Sequence, residues 1–455
     1  MKMQTNSQLA ASDVSSDVSS DGLPDGLPDV ISRADDVRVR INDVAQTMGA
    51  TQTCNYLCAA WNSAITIEIE CDAPISTCAV RPRSRNVSAQ IEGNVARFTL
   101  ENPQNVSIEI DDMKPLFLFA NETEHETPSP DDANVRYFRA GEIHEIGELF
   151  LHDDQTLYIE GGAIVRGCVR ATNAKNVRIA GHGVLDGSTF QRGDNARMSI
   201  IFEDCHNARI ENITMIEPSS WMLVLGGCDG VAIENLHQIG EVMSSDGIDI
   251  VGSRNVTVRN YFLRNNDDCV AIKAVNYHGQ GADSGVDWRQ NVENILVEGC
   301  VFVNDRGGNA VEIGFETQCD SMRDITFRNC DVLSVHGSGA AFAIHNGDRA
   351  VVENVLYEDI RVEHHYDKLI DLRVVDSVYR RDENFGTIRN ITFRNIRVYR
   401  QPYNMGYTTS IIGGINAQHA IENVVIEDFY YNDDKVTDAD ALDLYVKQAR
   451  NIEFR

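Results

Sequence analysis

The chain has 455 residues, 42% of them hydrophobic, with 40 Lys and Arg against 69 Asp and Glu for a net charge of −29. So acidic a chain should not bind nucleic acid through its phosphates. It should also repel polyanions at large, which favours a neutral partner unless local basic pockets override the field. No apolar run reaches the roughly 18 residues of a membrane-spanning helix.

The first residues, Met1-Lys2-Met3-Gln4-Thr5-Asn6, lack the apolar stretch of a secretion signal. The expectation is an intracellular protein, or a secreted or periplasmic one whose signal lies upstream. Residues 1–35 are rich in Ser, Asp, Gly and Pro, with Asp-Val-Ser-Ser and Asp-Gly-Leu-Pro each occurring twice. Such a segment buries too little apolar surface to order itself and is expected to be a disordered tail. Residues 36–121 then alternate in short runs, at Val37–Ile41, Ala64–Ile69, Ala96–Leu100 and Val106–Ile110, with an apolar strand at Leu116–Ala120. Short alternating strands parted by turn residues predict a small β-sandwich. Residues 122–132, polar and containing Pro128 and Pro130, read as a linker.

From 133 to 455 a motif of Asn (or Asp), a β-branched residue, any residue and another apolar one recurs. It stands at Asn176, Asn255, Asn294, Asp324, Asn390 and Asn423, with shorter forms at Asn212, Asn235, Asn354 and Asn451. Repeats of about 20–40 residues indicate repeat architecture, and a propeller needs about 40 residues per blade. With no helix-period segments between the repeats, the expected fold is all-β: a right-handed parallel β-helix preceded by the sandwich. The asparagines are expected at bends, bonded to neighbours above and below, and this role is preferred to glycosylation for the sequons at Asn212, Asn255 and Asn390. Cys205, Cys228, Cys269, Cys300 and Cys330 recur with the repeats and read as small stacked core residues. Cys54, Cys58, Cys71 and Cys78 are grouped closely enough for a local disulfide.

Chemistry concentrates in Ser244-Ser245-Asp246-Gly247-Ile248-Asp249 and Asn265-Asn266-Asp267-Asp268-Cys269-Val270-Ala271-Ile272-Lys273. Asp246 and Asp267 are 267 − 246 = 21 residues apart, close to one coil, so the three acids Asp246, Asp267 and Asp268 should stack into one cluster. Such a cluster suits acid/base cleavage of a sugar–sugar bond; a Ca²⁺ site or capping aspartates are the bland alternatives. A Gly-rich insertion at 276–291 follows directly, and Tyr277, His278 and Trp288 are expected to wall a cleft there. Asp249 is expected to be structural. His364, His365 and Asp367 suggest a metal only superficially, since adjacent strand residues point to opposite faces.

These two segments, with Pro218-Ser219-Ser220-Trp221 before them, resemble the polygalacturonases of glycoside hydrolase family 28. The layout of a sandwich before a β-helix is similar to the dextranases of family 49. The resemblance covers most of 133–455 in fold and about 220–315 in motif. It implies inverting hydrolysis with no cofactor and no resident metal, Asp267 as general acid, and Asp246 and Asp268 holding the water. An inverting pair commonly stands about 6.5–9.5 Å apart to admit that water.

The departures matter too. Where the family has Gly-His-Gly, this chain has Asn309 after Gly308, with Glu312 and Glu316 following. The family's Arg-Ile-Lys aligns best with Ala343-Ile344-His345, so both cations are lost. With the net charge, this predicts a neutral carbohydrate, a dextran-like α-glucan being one candidate. Trp221, Lys273, Trp288, Asn309, Glu312, Glu316 and His345 are the expected substrate-binding residues, with Asp371 and Arg373 as further candidates. A polysaccharide lyase or pectin-type hydrolase acting on uronates, or a non-catalytic carbohydrate-binding β-helix, are the competing readings.

Overall fold

The computed structural model describes residues 37–124, 127–278, 286–399 and 409–455; the expected tail at 1–35, and Gly279–Gly285 of the insertion, lie outside them. Among the described residues, the strands up to Asn121 form two five-stranded sheets, and those from Val135 onward form one 31-stranded sheet.

The sandwich follows from strict alternation. In Ile65–Cys71 the residues Ile65, Ile67, Ile69 and Cys71 point into the core while Thr66, Glu68 and Glu70 face outward. Strand Leu116–Asn121 is buried along its whole length because both of its faces are covered. Leu116, Leu118 and Ala120 join the sandwich core. Phe117 and Phe119 turn the other way and pack with Tyr56 against Phe262, Ile239 and Val184 of the large domain. The Phe119 ring stacks on His237 at 4.7 Å and the Phe117 ring lies 5.0 Å from Phe262. Each such fully buried ring contributes about 1.5–3 kcal/mol, so an apolar seam joins sandwich and helix. Cys54, Cys58, Cys71 and Cys78 are all free thiols, Cys54 and Cys58 bonding to the hydroxyls of Thr51 and Thr214, so the local disulfide their grouping allows does not form.

The large domain is a right-handed parallel β-helix in which each strand pairs with its equivalent one coil on. Ile248–Val251 pairs with Val270–Tyr277, Arg254–Arg259 with Val292–Glu298, and Phe262–Asn265 with Val301–Asn304. The bends are fixed by asparagines in the left-handed region, at φ 55° for Asn255, 57° for Asn354 and 58° for Asn390. Their side chains form ladders along the stack: Asn390 donates to Asn354 (3.2 Å), Asn423 to Asn390 (3.0 Å) and Asn451 to Asn423 (2.9 Å). Asn255 and Asn212 belong to similar ladders. Cys205, Cys228, Cys269, Cys300 and Cys330 lie inside the stack, each at most 1% exposed.

Candidate functional site

The site is a consequence of register. Ile248 pairs with Val270, Val270 with Val311, and Val311 with Phe342. Residues two places before these therefore stack in a column: Asp246, Asp268, Asn309 and Ala340. The backbone confirms it, with Gly247 N donating to Asp268 O (2.8 Å) and Cys269 N to Asn309 O (2.9 Å). Asp267 stands beside the column, so the three acids do converge. One oxygen from each lies within 4.8 Å of the others. This is tighter than the spacing expected of an inverting pair, because the strand repeat of about 4.8 Å sets it. The same spacing would suit a divalent cation, but Lys273 already places an ammonium in the cluster.

The strands after these turns build the cleft floor from two outward-facing columns. One holds Asp249, Ala271, Glu312, Ala343 and Asp371; the other holds Gly314, His345 and Arg373, and Lys273 stands where the pairing shifts register, between Ile272 and Ala274. Acids and bases pair across them. Lys273 Nζ donates to Asp246 Oδ2 (2.8 Å) and stands 2.7 Å from Asp249 Oδ1. His345 Nδ1 meets Glu312 Oε2 at 2.8 Å, and its Nε2 lies 3.2 Å from Asp371. Arg373 bonds Asp371 through two nitrogens, at 2.6 and 2.8 Å.

The electrostatics follow from this packing. Burial, reinforced by the Asp246 charge, raises Asp267 to a pKa of about 7. Burial, then the charges of Asp267 and Glu312, push Asp268 well above the carboxylate range. Both N–H groups of Asn309 donate to Asp268 Oδ1, at 2.7 and 2.8 Å, fixing that carboxylate in place. Gly308 permits this close approach: at φ +71° any Cβ would stand 2.3 Å from Asp268 N. Burial opposes the charge on Lys273, but Asp246 and Asp249 outweigh it and hold its pKa well above normal. Asp249, fully buried, is raised by desolvation despite Lys273; it serves the ion pair, in keeping with the structural role expected of it.

His345 is likewise pulled down by burial but lifted by Glu312 and Asp371, to about 9. A folded pKa above the unfolded value of about 6.5 contributes stability that is complete below pH ~6.5 and lost as pH rises through about 9. Thermal melts of the wild type should therefore fall more steeply between those limits than melts of His345→Gln. Equal slopes would show that the imidazolium contributes nothing.

Among the described residues the cleft, about 560 Å³ in volume, is lined by the three acids and by Trp221, Lys273, Asn309, Glu316, His345 and Arg373. The Lys273 ammonium lies over the Trp221 ring, 4.0 Å from its centroid. Two expected binding residues are placed elsewhere. Glu312 is fully buried beneath the floor, bonded to Asn309 and His345. Trp288 is 2% exposed and lies outside the cleft lining, packed so flat on Gly226 that a Cβ there would stand 2.2 Å from its ring. It backs Tyr277, which in turn contacts Trp221 and does line the cleft. His278 is exposed and outside the lining. His364 meets His336 while His365 meets Tyr431, both beyond the end of the strand Val351–Val362, so the two rings go to different neighbours.

Sequence reasoning passed over Arg192, Phe315, Lys368 and Tyr379, which also line the cleft. Phe315 stacks on His345 at 4.3 Å and 5° and touches the Tyr379 ring at 5.5 Å. Extending the register from Asn309 through Ala340 to Lys368 would have found Lys368. Arg192 and Tyr379 sit on irregular loops that carry no periodic signal.

The fold resembles that of Dex49A from Penicillium minioluteum, with a TM-score of 0.64 at 13% identity, covering 95% of this chain and 97% of that one. A family 28 exopolygalacturonase from Yersinia enterocolitica aligns with a TM-score of 0.54 at 14% identity, covering 87% and 94%. Among curated proteins, a probable polygalacturonase of Arabidopsis thaliana is 23% identical over 216 residues, 47% of this chain and 43% of its own length. A probable endopolygalacturonase D of Aspergillus flavus is 27% identical over 249 residues, 50% of this chain and 46% of its own. The chain thus matches somewhat under half the length of these relatives. The sequence profile of glycosyl hydrolases family 28 matches residues 160–428, a stretch holding all three cleft acids, and the chain belongs to that family.

Proposed function

We propose that the protein hydrolyses glycosidic bonds in a polysaccharide or oligosaccharide, with Asp267 as general acid and Asp246 and Asp268 holding and activating the attacking water. The observation that carries this is the trio of carboxylates at the cleft: Asp267, the one that is only half-buried, is raised to a pKa of about 7, while Asp268, raised as well, is buried behind it. A general acid works best with a pKa near the operating pH. Inversion rests on the family resemblance. The close spacing alone would suit a retaining pair at about 5–5.5 Å, so the anomer first formed, read by proton NMR, decides between them.

For the substrate, the paired floor supports a neutral sugar. Lys273, His345, Arg373 and Lys368 each already face a carboxylate, from Asp246 and Asp249, Glu312 and Asp371, Asp371, and Asp367 respectively. A cation so matched has little charge left for a uronate. Galacturonate polymers are the second reading. The names of the curated relatives favour it, as does Arg192 at the rim, whose guanidinium bonds Ser244 Oγ at 3.3 Å and has no ion pair among the described residues.

A reducing-sugar screen over neutral glucans, galactans, arabinans and polygalacturonate tests both. Release from a neutral polymer is the expected result. Release from polygalacturonate alone would overturn the neutral-sugar reading and leave hydrolysis standing. An ultraviolet-absorbing unsaturated product would mark a lyase instead.

A further inference from the structure

We infer that the N-terminal sandwich is a working part of the cleavage site: its Thr51–Thr53 turn grips Glu241 and so fixes both turns that carry the acids. This rests on the hydrolase reading above and names a positioning residue for it.

Glu241 belongs to the loop that leads from the strand His237–Ile239 to Asp246. Its carboxylate receives four donors from the sandwich: Thr51 Oγ1 (2.8 Å), Gln52 N (3.1 Å), Thr53 N (2.7 Å) and Thr53 Oγ1. Burial opposes its charge, but these hydroxyl and amide donors outweigh it and hold its pKa below the usual value. The gripping turn is itself braced. Thr51 N donates to Cys54 O (2.8 Å), and Lys114 Nζ donates to Thr51 O (3.2 Å).

On the other side, Glu241 reaches both acid turns. Its backbone carbonyl accepts Asn266 Nδ2 at 2.5 Å, one residue before Asp267. Asn266 N donates to Ser245 Oγ (3.2 Å), and Asn265 Nδ2 donates to Ser245 O (2.9 Å), one residue before Asp246. Buried Arg264 closes the arrangement by donating to Gly240 O (2.7 Å) and Asn266 Oδ1 (3.1 Å). The Asp246 turn and the Asp267-Asp268 turn are thus held in one frame, and the outer anchor of that frame is a different domain.

Glu241 is not needed merely to keep the sandwich attached. The seam around Phe117 and Phe119 does that, as does Glu363, which accepts Arg83 N at 2.5 Å and pairs with Arg81. A small displacement of reacting groups is costly in rate without a matching cost in binding, since alignment accounts for much of catalysis.

The test uses the full chain with Glu241→Ala and, as a milder variant that keeps the side-chain shape, Thr53→Val. Hydrogen exchange should rise in peptides spanning residues 242–247 and 265–269 and stay unchanged over 321–335. With the substrate found in the screen, kcat should fall about tenfold in Glu241→Ala with KM within about twofold, a loss confined to the reacting geometry. Its pH profile should shift as well, because the raised pKa of Asp267 depends on its distance from Asp246. Thr53→Val should show the same pattern, weaker. Unchanged exchange together with unchanged kcat in either folded variant would overturn the inference. Should the wild type cleave nothing, the hydrolase reading fails, and the exchange data still decide whether the sandwich holds these turns.

Discussion

Asp267→Asn should lower kcat by about 10²–10⁴-fold, the range that positioned proton transfer supplies, with KM and melting temperature close to wild type. The amide keeps the oxygen that accepts Asp268 N at 3.1 Å and is nearly the same size, so the turn retains its shape. What is lost is a titrating carboxyl at the one position of the cluster that is only half-buried, with a pKa raised to about 7. The wild-type rate should accordingly fall as pH rises through about 7, where Asp267 loses its proton. Asp246 and Asp268 share the cluster with Asp267, so the limb belongs to the cluster and not to Asp267 alone. Steady-state kinetics across pH 4–9 for both proteins checks this. A variant within threefold of wild type would remove Asp267 from the chemistry.

Lys273→Met should be the most damaging single change to stability, costing about 3–5 kcal/mol, the usual result of stripping one partner from a buried ion pair. Lys273 is 5% exposed and serves two buried acids, Asp246 and Asp249. Methionine fills much of the space but leaves both carboxylates without a cation. Asp249, whose pKa already stands well above normal with Lys273 present, should rise further and keep its proton. A group with a raised folded pKa stabilises most below its unfolded value, and loses that contribution as pH rises through the folded one. The variant should therefore recover part of its lost stability as the pH falls toward the unfolded carboxylate value of about 4. Urea melts at pH 5 and pH 8 measure this; a deficit under about 1 kcal/mol at both would show that the floor does not depend on the ammonium.

The repeat architecture was legible because a stacked coil must re-use the same bend chemistry each time. Asn255, Asn294, Asn354 and Asn390 announce the period, and the period fixes which residues meet. The three acids were found on that basis. Trp288 was misplaced because a tryptophan beside a Gly-rich insertion suggests a cleft wall. The hairpin with Val275–Tyr277 instead folds the ring onto Gly226, and a glycine 62 residues earlier gives no local sign of that pairing. Glu312 suggests a substrate contact because a carboxylate can accept bonds from sugar hydroxyls. What the sequence could not convey is that Asn309 and His345 close over it. The loss of the family's two cations was visible, but not that Arg373, one coil further along, would stand in the same column as His345.

The coils have one further consequence. They run from Val135 to Phe454, and the acids lie in the coils at 244–273, with paired strands on both sides. In a one-dimensional stack each coil is stabilised chiefly by its two neighbours, so a coil with a partner on both faces is the costliest to open. The three acids sit in coils of that kind, stacked on both faces. Loosening of a coil remote from residues 244–273 would leave the cluster assembled, and only the loss of the coils directly around it would scatter the three acids.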